Sequence, residues 1–523
     1  MATYEVIVVG SGAGGLSAAL HVAQRGRSCL LLEAMPAFGG YLSPFHRAGY
    51  TFDTGLHYVG QLNEGQGFWR VLDELGIREA IEFVELDPDG FDRFVFPDYE
   101  FALPKGVERF RGRLIDEFPQ EERGINRFFK VMRTVTRAMD DIGLLAGGPL
   151  KLLAFVLKHS AMLKYASIPY QKLLDEVTSD PRLQAVLAGQ SATYGLPPAR
   201  ASAIIALMVL DYYLSGAYYP RGGSGALRDA LVDALQAHGV EMRNRARVSW
   251  IDKRGDKFWV RTEQGGEYTA RAVISNADPA ITLGKLANPQ IVPLGMRDKA
   301  RVLRPSMAAF YVFAGTDLDL PAVGMTDANI QQYESYDLNQ IYASLDAATL
   351  QERAPYCFIT SPSVKDPRGN DARVDDPQGG HAPEGHHTVE IMTCASYEGF
   401  ERWADLPPLK RGPEYEALKA KMGRTLIAAA ERHIPGLSQH LEVVEYGTPL
   451  SNAYWVNAVR GGMYGPEETP DQMGQGRFYD FTSGVEGLYI AGAGTLGGGI
   501  TACMDSGIGA AGKATDYLDT LNQ

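Results

Sequence analysis

Residues 4–33, YEVIVVGSGAGGLSAALHVAQRGRSCLLLE, constrain the fold of this 523-residue chain more than any other stretch. Val6 to Val9 form an unbroken apolar run, as a strand covered on both faces requires. Gly10, Gly12 and Gly15 then make a GxGxxG turn, with Ala13 and Gly14 inside it. Leu16 to Gln24 carry the small and apolar residues of a packed helix, and SCLLLE predicts a second strand ending in Glu33, before Ala34. Each part suits a dinucleotide. Gly10 permits the tight turn, Gly12 lets backbone approach a pyrophosphate, and Gly15 lets the helix lie close to the sheet. The helix start offers unpaired N–H groups and a partial positive charge to phosphates. Glu33, 18 residues after Gly15, is placed to bind ribose hydroxyls and would repel a 2′-phosphate, so NADP is not expected here. A lone glycine motif is weak; strand, turn, helix, strand and acid in register is strong.

The rest of the chain sets bounds. Its length predicts two or three domains. A net charge of −13 argues against nucleic acid as the main partner. Cys29, Cys357, Cys394 and Cys503 are far apart with no CxxC spacing, which predicts free thiols in a reducing compartment. The start lacks the basic residues of a signal peptide, and no apolar run reaches 18 residues, so a cytoplasmic location without a spanning helix is expected. His386-His387 has no third ligand at helix or hairpin spacing and reads as the start of a strand; no metal is expected. Residues 366–387 are the most loop-like stretch.

Three further segments bear on the nucleotide. Residues 487–518 repeat strand, glycine loop and helix; 219–251 read as turn, amphipathic helix and strand; 270–279 read as a strand ending in a turn. With FDTGLHYVG (52–60), SPSVKDP (361–367) and GTPLSNAYWVNAVRGGMYG (447–465), these make the chain resemble the flavin-dependent family of phytoene desaturases, carotenoid isomerases and retinol saturases. More distantly it resembles amine oxidases. FDTGLHYVG looks most like the retinol-saturase branch, and GLYIAGAGT more like the desaturases. The resemblance implies an α/β fold, with a Rossmann-type FAD-binding domain, discontinuous in sequence, and an α+β substrate domain. Residues 1–69, 219–285 and 481–523 are expected in the first, 70–218 and 286–480 in the second. It implies that Gly10, Gly12, Gly15 and Glu33 hold the ADP half of FAD. Gly39 and Gly40 would lie beside the flavin, where many relatives continue with Arg and this chain has Tyr41. Val248 would meet the adenine region through backbone. Gly492, Gly494 and Thr495 would pass the pyrophosphate and ribityl chain. Gly499, Ile500 and Thr501 would begin a helix aimed at the flavin.

The function implied is FAD-dependent oxidoreduction at carbon–carbon double bonds of a hydrophobic polyene or unsaturated lipid, by saturation or isomerisation. Desaturation, amine oxidation and non-enzymatic lipid escort are the alternatives; an escort would not need an intact phosphate cradle. Only one good dinucleotide fingerprint is present, so electrons are expected to pass to or from an external donor or acceptor. His57 and Tyr58 are candidate proton donors near the reacting double bond. There Tyr41 to Phe52 would form a hairpin bent at Gly49, Asp53 would fix the next turn, and Gly55 would make room for the isoalloxazine. Alternatively His57 pairs with a carbonyl and Tyr58 fills core. Residues 147–165, GGPLKLLAFVLKHSAMLKY, predict a helix that is either packed in the substrate domain or in peripheral contact with a membrane.

Overall fold

A computed structural model describes residues 2–140, 149–367 and 380–521. β1 (Ala2–Val9) and β2 (Cys29–Leu32) run parallel, with Val6 opposite Cys29 and Val9 opposite Leu32, and α1 (Ala13–Gln24) joins them. Alternate residues enter different cores: Val6, Val8 and Leu31 pack in one, Ile7, Val9, Leu30 and Leu32 in the other. This two-sided burial is why the run has no polar interruption.

Glu267–Ser275 lies parallel on the other side of β1. Its outer edge is shared. The first half pairs antiparallel with Lys257–Thr262, and its last three residues pair parallel with Leu488–Ile490. Glu241–Arg243 closes the sheet beside β2, and Val248–Arg254 extends it beyond Lys257–Thr262. Three distant stretches of sequence thus build one seven-stranded sheet. The carboxyl ends of its parallel strands lead into Gly10, Glu33, Asn276 and Ala491, the edge where open α/β sheets bind ligands.

A second seven-stranded sheet has the order Leu441–Gly447, Ala308–Thr316, His387–Ala395, Tyr356–Thr360, Asn329–Tyr333, Asp92–Val95, Glu100–Leu103. Neighbours are antiparallel except Asn329–Tyr333 against Asp92–Val95. Every residue of the Ala308–Thr316 strand, second in this order, is buried. The helices Val107–Glu117, Glu122–Asp140, Tyr170–Val177 and Ala203–Leu214 pack together beside this sheet.

Phe45–Arg47 and Tyr50–Phe52 form a short hairpin whose bend, Ala48-Gly49, holds both residues at positive φ (49° and 86°). The helix expected over 147–165 is two helices, Pro149–Lys158 and Ser160–Ala166. They break at His159, whose ring is buried against Phe155 with centroids 4.9 Å apart. Residues 147 and 148, and 368–379 of the loop-like stretch, lie outside the described residues. Among the described residues no helix is long and apolar enough to cross a membrane. His386 precedes the strand His387–Ala395, its Nδ1 2.9 Å from the Glu384 carbonyl oxygen.

Candidate active site

The first glycine loop is closed by contacts that tolerate no side chain. Gly10 has φ +89°. A Cβ on Gly15 would stand 1.8 Å from the Gly10 carbonyl oxygen, and one on Gly12 would stand 2.9 Å from Asn276 Nδ2. Gly14 is packed more tightly than its motif position suggests: a Cβ there would meet Asn276 Oδ1 at 2.5 Å and the Cys503 carbonyl at 2.8 Å. α1 lies along the C-terminal helix Ile500–Thr520. Ser17 Oγ donates to Met504 O at 2.9 Å, and a Cβ on Gly507 would stand 2.1 Å from Gly14 O. Both helices begin at glycine, Gly12 and Gly499, with no side-chain cap and no acid in the first turn. Two uncapped helix starts so close together present partial positive charge, with the buried Glu468 beside the second at Gly498 N–H. Asn276 Oδ1 beside them is buried without a hydrogen bond. This cradle fits the pyrophosphate of a dinucleotide.

Glu33 ends β2 and is 7% exposed. Its Oε2 accepts from Ser11 N–H (2.8 Å) and Ser11 Oγ (2.6 Å), and Oε1 accepts from Met35 N–H (2.8 Å). Two carboxylate oxygens offer about four acceptor sites, which leaves capacity for a ribose hydroxyl. Ala34 is half-buried beside it, and Val248 is buried in the second core. Gly39 and Gly40 both have positive φ and lie against the first loop. Gly39 N–H reaches Ser11 O and Oγ at 3.1 Å, and a Cβ on Gly40 would stand 3.2 Å from Gly12 Cα.

The second glycine loop is held from behind. Gly492 N–H donates to Ser506 Oγ (2.7 Å), and buried Thr495 donates its hydroxyl to Gly492 O (2.7 Å). A Cβ on Gly494 would strike Pro279 at 2.4 Å. Glu468 Oε1 accepts from Gly498 N–H at 2.8 Å and lies 3.5 Å from Arg477. Both are buried, and burial pushes the Glu468 carboxyl up while Arg477 pulls it down. Sequence reading missed this pair, and Asn276 too. The one sequence signal for Asn276 is its place just after a buried strand.

Beyond the loops, Tyr41 and Tyr464 are neighbours, as are Tyr464 and Tyr213, and the Tyr212 and Tyr213 rings meet edge to face at 4.9 Å; each of these rings, like His57, keeps part of its surface accessible. Tyr212 Oη lies 2.9 Å from Thr501 Oγ1, at the start of the C-terminal helix next to Ile500. The Tyr41 side chain fills the place a Cβ on Gly55 would need, with its Cβ at 2.8 Å and its ring at 2.9 Å, so room at Gly55 serves a protein side chain.

The turn at 53–58 is tied to the second sheet. Asp53 N–H donates to Glu390 Oε1 at 2.8 Å. The Asp53 carboxylate accepts from Tyr219 Oη, Ser224 Oγ and Ser224 N–H, so it caps the helix Gly223–Ala237 rather than its own turn. Tyr58 is 7% exposed, stacked on Tyr213 at 4.2 Å, and donates to Asp92 Oδ2 at 2.9 Å. Its hydroxyl is therefore committed to the core. The His57 side chain keeps 14% of its surface, its carbonyl accepts from Lys365 Nζ at 2.8 Å, and Nδ1 stands 3.1 Å from Glu390 Oε2. Burial, and then Lys365, push the imidazole down to about 4, so it is neutral near pH 7. Burial also lowers Lys365 to about 8. Among the described residues no cluster of three His, Cys, Asp or Glu could hold a metal ion.

Solved structures similar to this chain share its fold. An oxidoreductase from Methanosarcina mazei matches with TM-score 0.62 at 15% identity, covering 99% of this chain and 100% of that one. Putrescine oxidase bound to putrescine matches with TM-score 0.63 at 13% identity, covering 100% of this chain and 99% of that one. Among curated proteins, the all-trans-retinol 13,14-reductase of Macaca fascicularis is 29% identical over 488 residues, 88% of this chain and 77% of the relative. The prolycopene isomerase of Arabidopsis thaliana is 27% identical over 518 residues, 97% of this chain and 81% of the relative. The model of the family described as flavin containing amine oxidoreductase matches residues 13–515. With its two glycine loops brought onto paired bare helix starts, the chain belongs to this flavin-dependent oxidoreductase family.

Proposed function

We propose that the chain is an FAD enzyme that reduces or isomerises a carbon–carbon double bond in a hydrophobic polyene or unsaturated lipid, of retinoid, carotenoid or fatty-acyl type. The observation that supports this reading is the group of partly accessible tyrosines beyond the glycine loops, Tyr41, Tyr212, Tyr213 and Tyr464, together with the partly accessible imidazole of His57 as candidate proton donor. The curated relatives that act on retinol and prolycopene support the substrate class.

The pyrophosphate of FAD would sit on Gly12 to Gly15 and Gly492 to Thr495, its ribose on Glu33, and its ring beside Gly39, Gly40 and Tyr41, near Gly499 to Thr501. When bound, flavin supplies or accepts a hydride at the substrate carbon. The tyrosine group excludes water and orients an apolar chain. His57, neutral, delivers a proton from Nε2–H to the neighbouring carbon; Tyr58, bound to Asp92, supports Tyr213. Residues 1–69, 219–285 and 481–523 form the flavin domain in this reading, and 70–218 and 286–480 the substrate domain. Electrons come from an external donor. A cytoplasmic location with peripheral membrane contact through 149–166 completes it: Leu157 there is 71% exposed.

Incubation of the purified protein with all-trans-retinol under reducing, oxygen-free conditions, read by mass and retention time, tests the reaction. A product with two added hydrogens, or a geometric isomer of unchanged mass, is expected. Products with extra double bonds formed only with an added oxidant overturn it.

A further inference from the structure

His57 Nδ1 and Glu390 Oε2 lie 3.1 Å apart, and each is buried without a hydrogen bond to anything else among the described residues. They are within hydrogen-bonding distance but not aligned, a gap that a small ring rotation closes; proton-transfer contacts often tighten only with substrate bound. Glu390 is 3% exposed and anchored by its other oxygen, Oε1, which accepts from Asp53 N–H at 2.8 Å. His57 is anchored from the far side, where Lys365 Nζ donates to its carbonyl at 2.8 Å and to Asn329 Oδ1 at 2.5 Å. Lys365 therefore makes its hydrogen bonds to neutral oxygens, and Glu390 has no cation hydrogen-bonded to it among the described residues. Two fixed groups thus aim one unpartnered atom each at the other. An acid in the middle of a fully packed strand has no structural use for that arrangement.

We propose that Glu390 is the proton reservoir of His57: its Oε2–H passes to Nδ1 as Nε2–H passes to the substrate carbon. This rests on the proposed reaction. One O–H and one N–H bond break, and one N–H and one C–H bond form. The ring ends neutral with its proton moved to Nδ1 beside a carboxylate; return of that proton to Oε2, as a solvent proton reaches Nε2, restores the starting state. The second hydrogen, with its electron pair, is the hydride of the reduced flavin.

The charge state agrees. Burial, and then the Asp53 charge, hold the Glu390 carboxyl well above its ordinary range, against the pull of Lys365 and His381. Burial and Lys365 hold His57 neutral, against Asp53. Lys365 in turn faces Asp92, Glu390, Asp327 and Asp53. A protonated carboxyl beside a neutral imidazole has one matched arrangement: O–H towards Nδ1, with the ring proton on Nε2.

Glu390→Gln tests this. Glutamine keeps an acceptor for Asp53 N–H and a donor to Nδ1, but it releases no proton. Flavin content and the ¹⁵N signature of the His57 Nε2–H tautomer should stay as in wild type. The kcat should fall about 100-fold or more with KM within a few-fold. The wild-type loss of rate as rising pH ionises Glu390 should vanish in the variant. Independently of turnover, the infrared difference between wild type and Glu390→Gln at neutral pH should contain a protonated-carboxyl band, which His57→Phe shifts. Carboxylate bands there, or a Glu390→Gln enzyme within a few-fold of wild type, overturn the proposal. If wild type transforms no polyene, the reading of the reaction falls, and the infrared and nitrogen signals still decide where the proton sits.

Discussion

A buried neutral imidazole such as that of His57 costs stability when it must take a proton. His57 is held at about 4 against an ordinary 6.5, so between those values the unfolded chain binds the proton that the folded one refuses. Stability from this group is present above about 6.5 and is lost as pH falls towards about 4. Urea titrations at pH 7 and pH 5 should therefore show a smaller loss in His57→Phe than in wild type; equal losses would mean the ring is not held neutral. The same variant pair separates the two candidate donors. His57→Ala should keep its flavin spectrum and turn over about 100-fold or more slower, the size expected for a lost general acid. Tyr58→Phe should turn over within a few-fold of wild type, because its hydroxyl serves Asp92. It should instead lose about 1–3 kcal/mol in urea melts, since a buried carboxyl loses a donor. A Tyr58→Phe enzyme as slow as His57→Ala would return the proton role to the tyrosine.

Among elements, the pair made by α1 and the C-terminal helix decides whether a nucleotide can bind. Gly12 borders the bare helix start, while Gly14 and Gly507 bring the two helices into backbone contact. Gly12→Val should abolish flavin binding in a folded protein. Gly14→Val should abolish it and lower the melting temperature as well, since its Cβ has backbone on two sides. Flavin content and circular dichroism melts distinguish the two, and wild-type flavin in Gly12→Val would remove the cradle assignment. The helices 149–158 and 160–166 allow a second test. Phe155 and Met162 are buried, so charge at either would probe the core; Leu157 is 71% exposed and isolates the surface. Leu157→Glu should weaken flotation with anionic liposomes and leave the melt unchanged, and equal flotation would place the membrane contact elsewhere. What could be read in advance follows from sequence distance. Gly10 to Glu33 is one contiguous unit whose chemistry is local, so the α/β class and the loop were legible. Asn276, Lys365 and Glu390 arrive from separate strands and a short helix, each in an ordinary local context. Glu390 in HTVEIMTCA left one trace, a lone acid between apolar neighbours in a strand. The break at His159 left none, because a buried histidine amid an apolar helical run looks the same in sequence whether or not the helix continues.

For the whole molecule, the order of sheet strands brings three distant parts of the chain to one edge, where a bound cofactor would span all of them. β1 and β2 come from the first stretch, Glu267–Ser275 from the middle and Leu488–Ile490 from the end, and each leads straight into a loop of the cradle. A ligand that spans those loops binds the folded chain and not the unfolded one, so it stabilises by mass action, by about 2.7 kcal/mol at a hundred times its Kd. For domains of this size about 1 kcal/mol moves the melting point by roughly 2–4 °C, so FAD added to stripped protein should raise it by roughly 5–10 °C. The nucleotide half should carry that gain. Glu33 and the paired helix starts sit at the carboxyl edge of the sheet, where only a dinucleotide reaches them. FMN has the flavin ring but lacks the adenosine half, and should leave the melting point of stripped protein nearly where it was. Gly12→Val should erase the FAD response and keep the baseline. Equal shifts with FMN and FAD would mean that the ring pocket alone holds the cofactor, and the role given to Glu33 would fall with it.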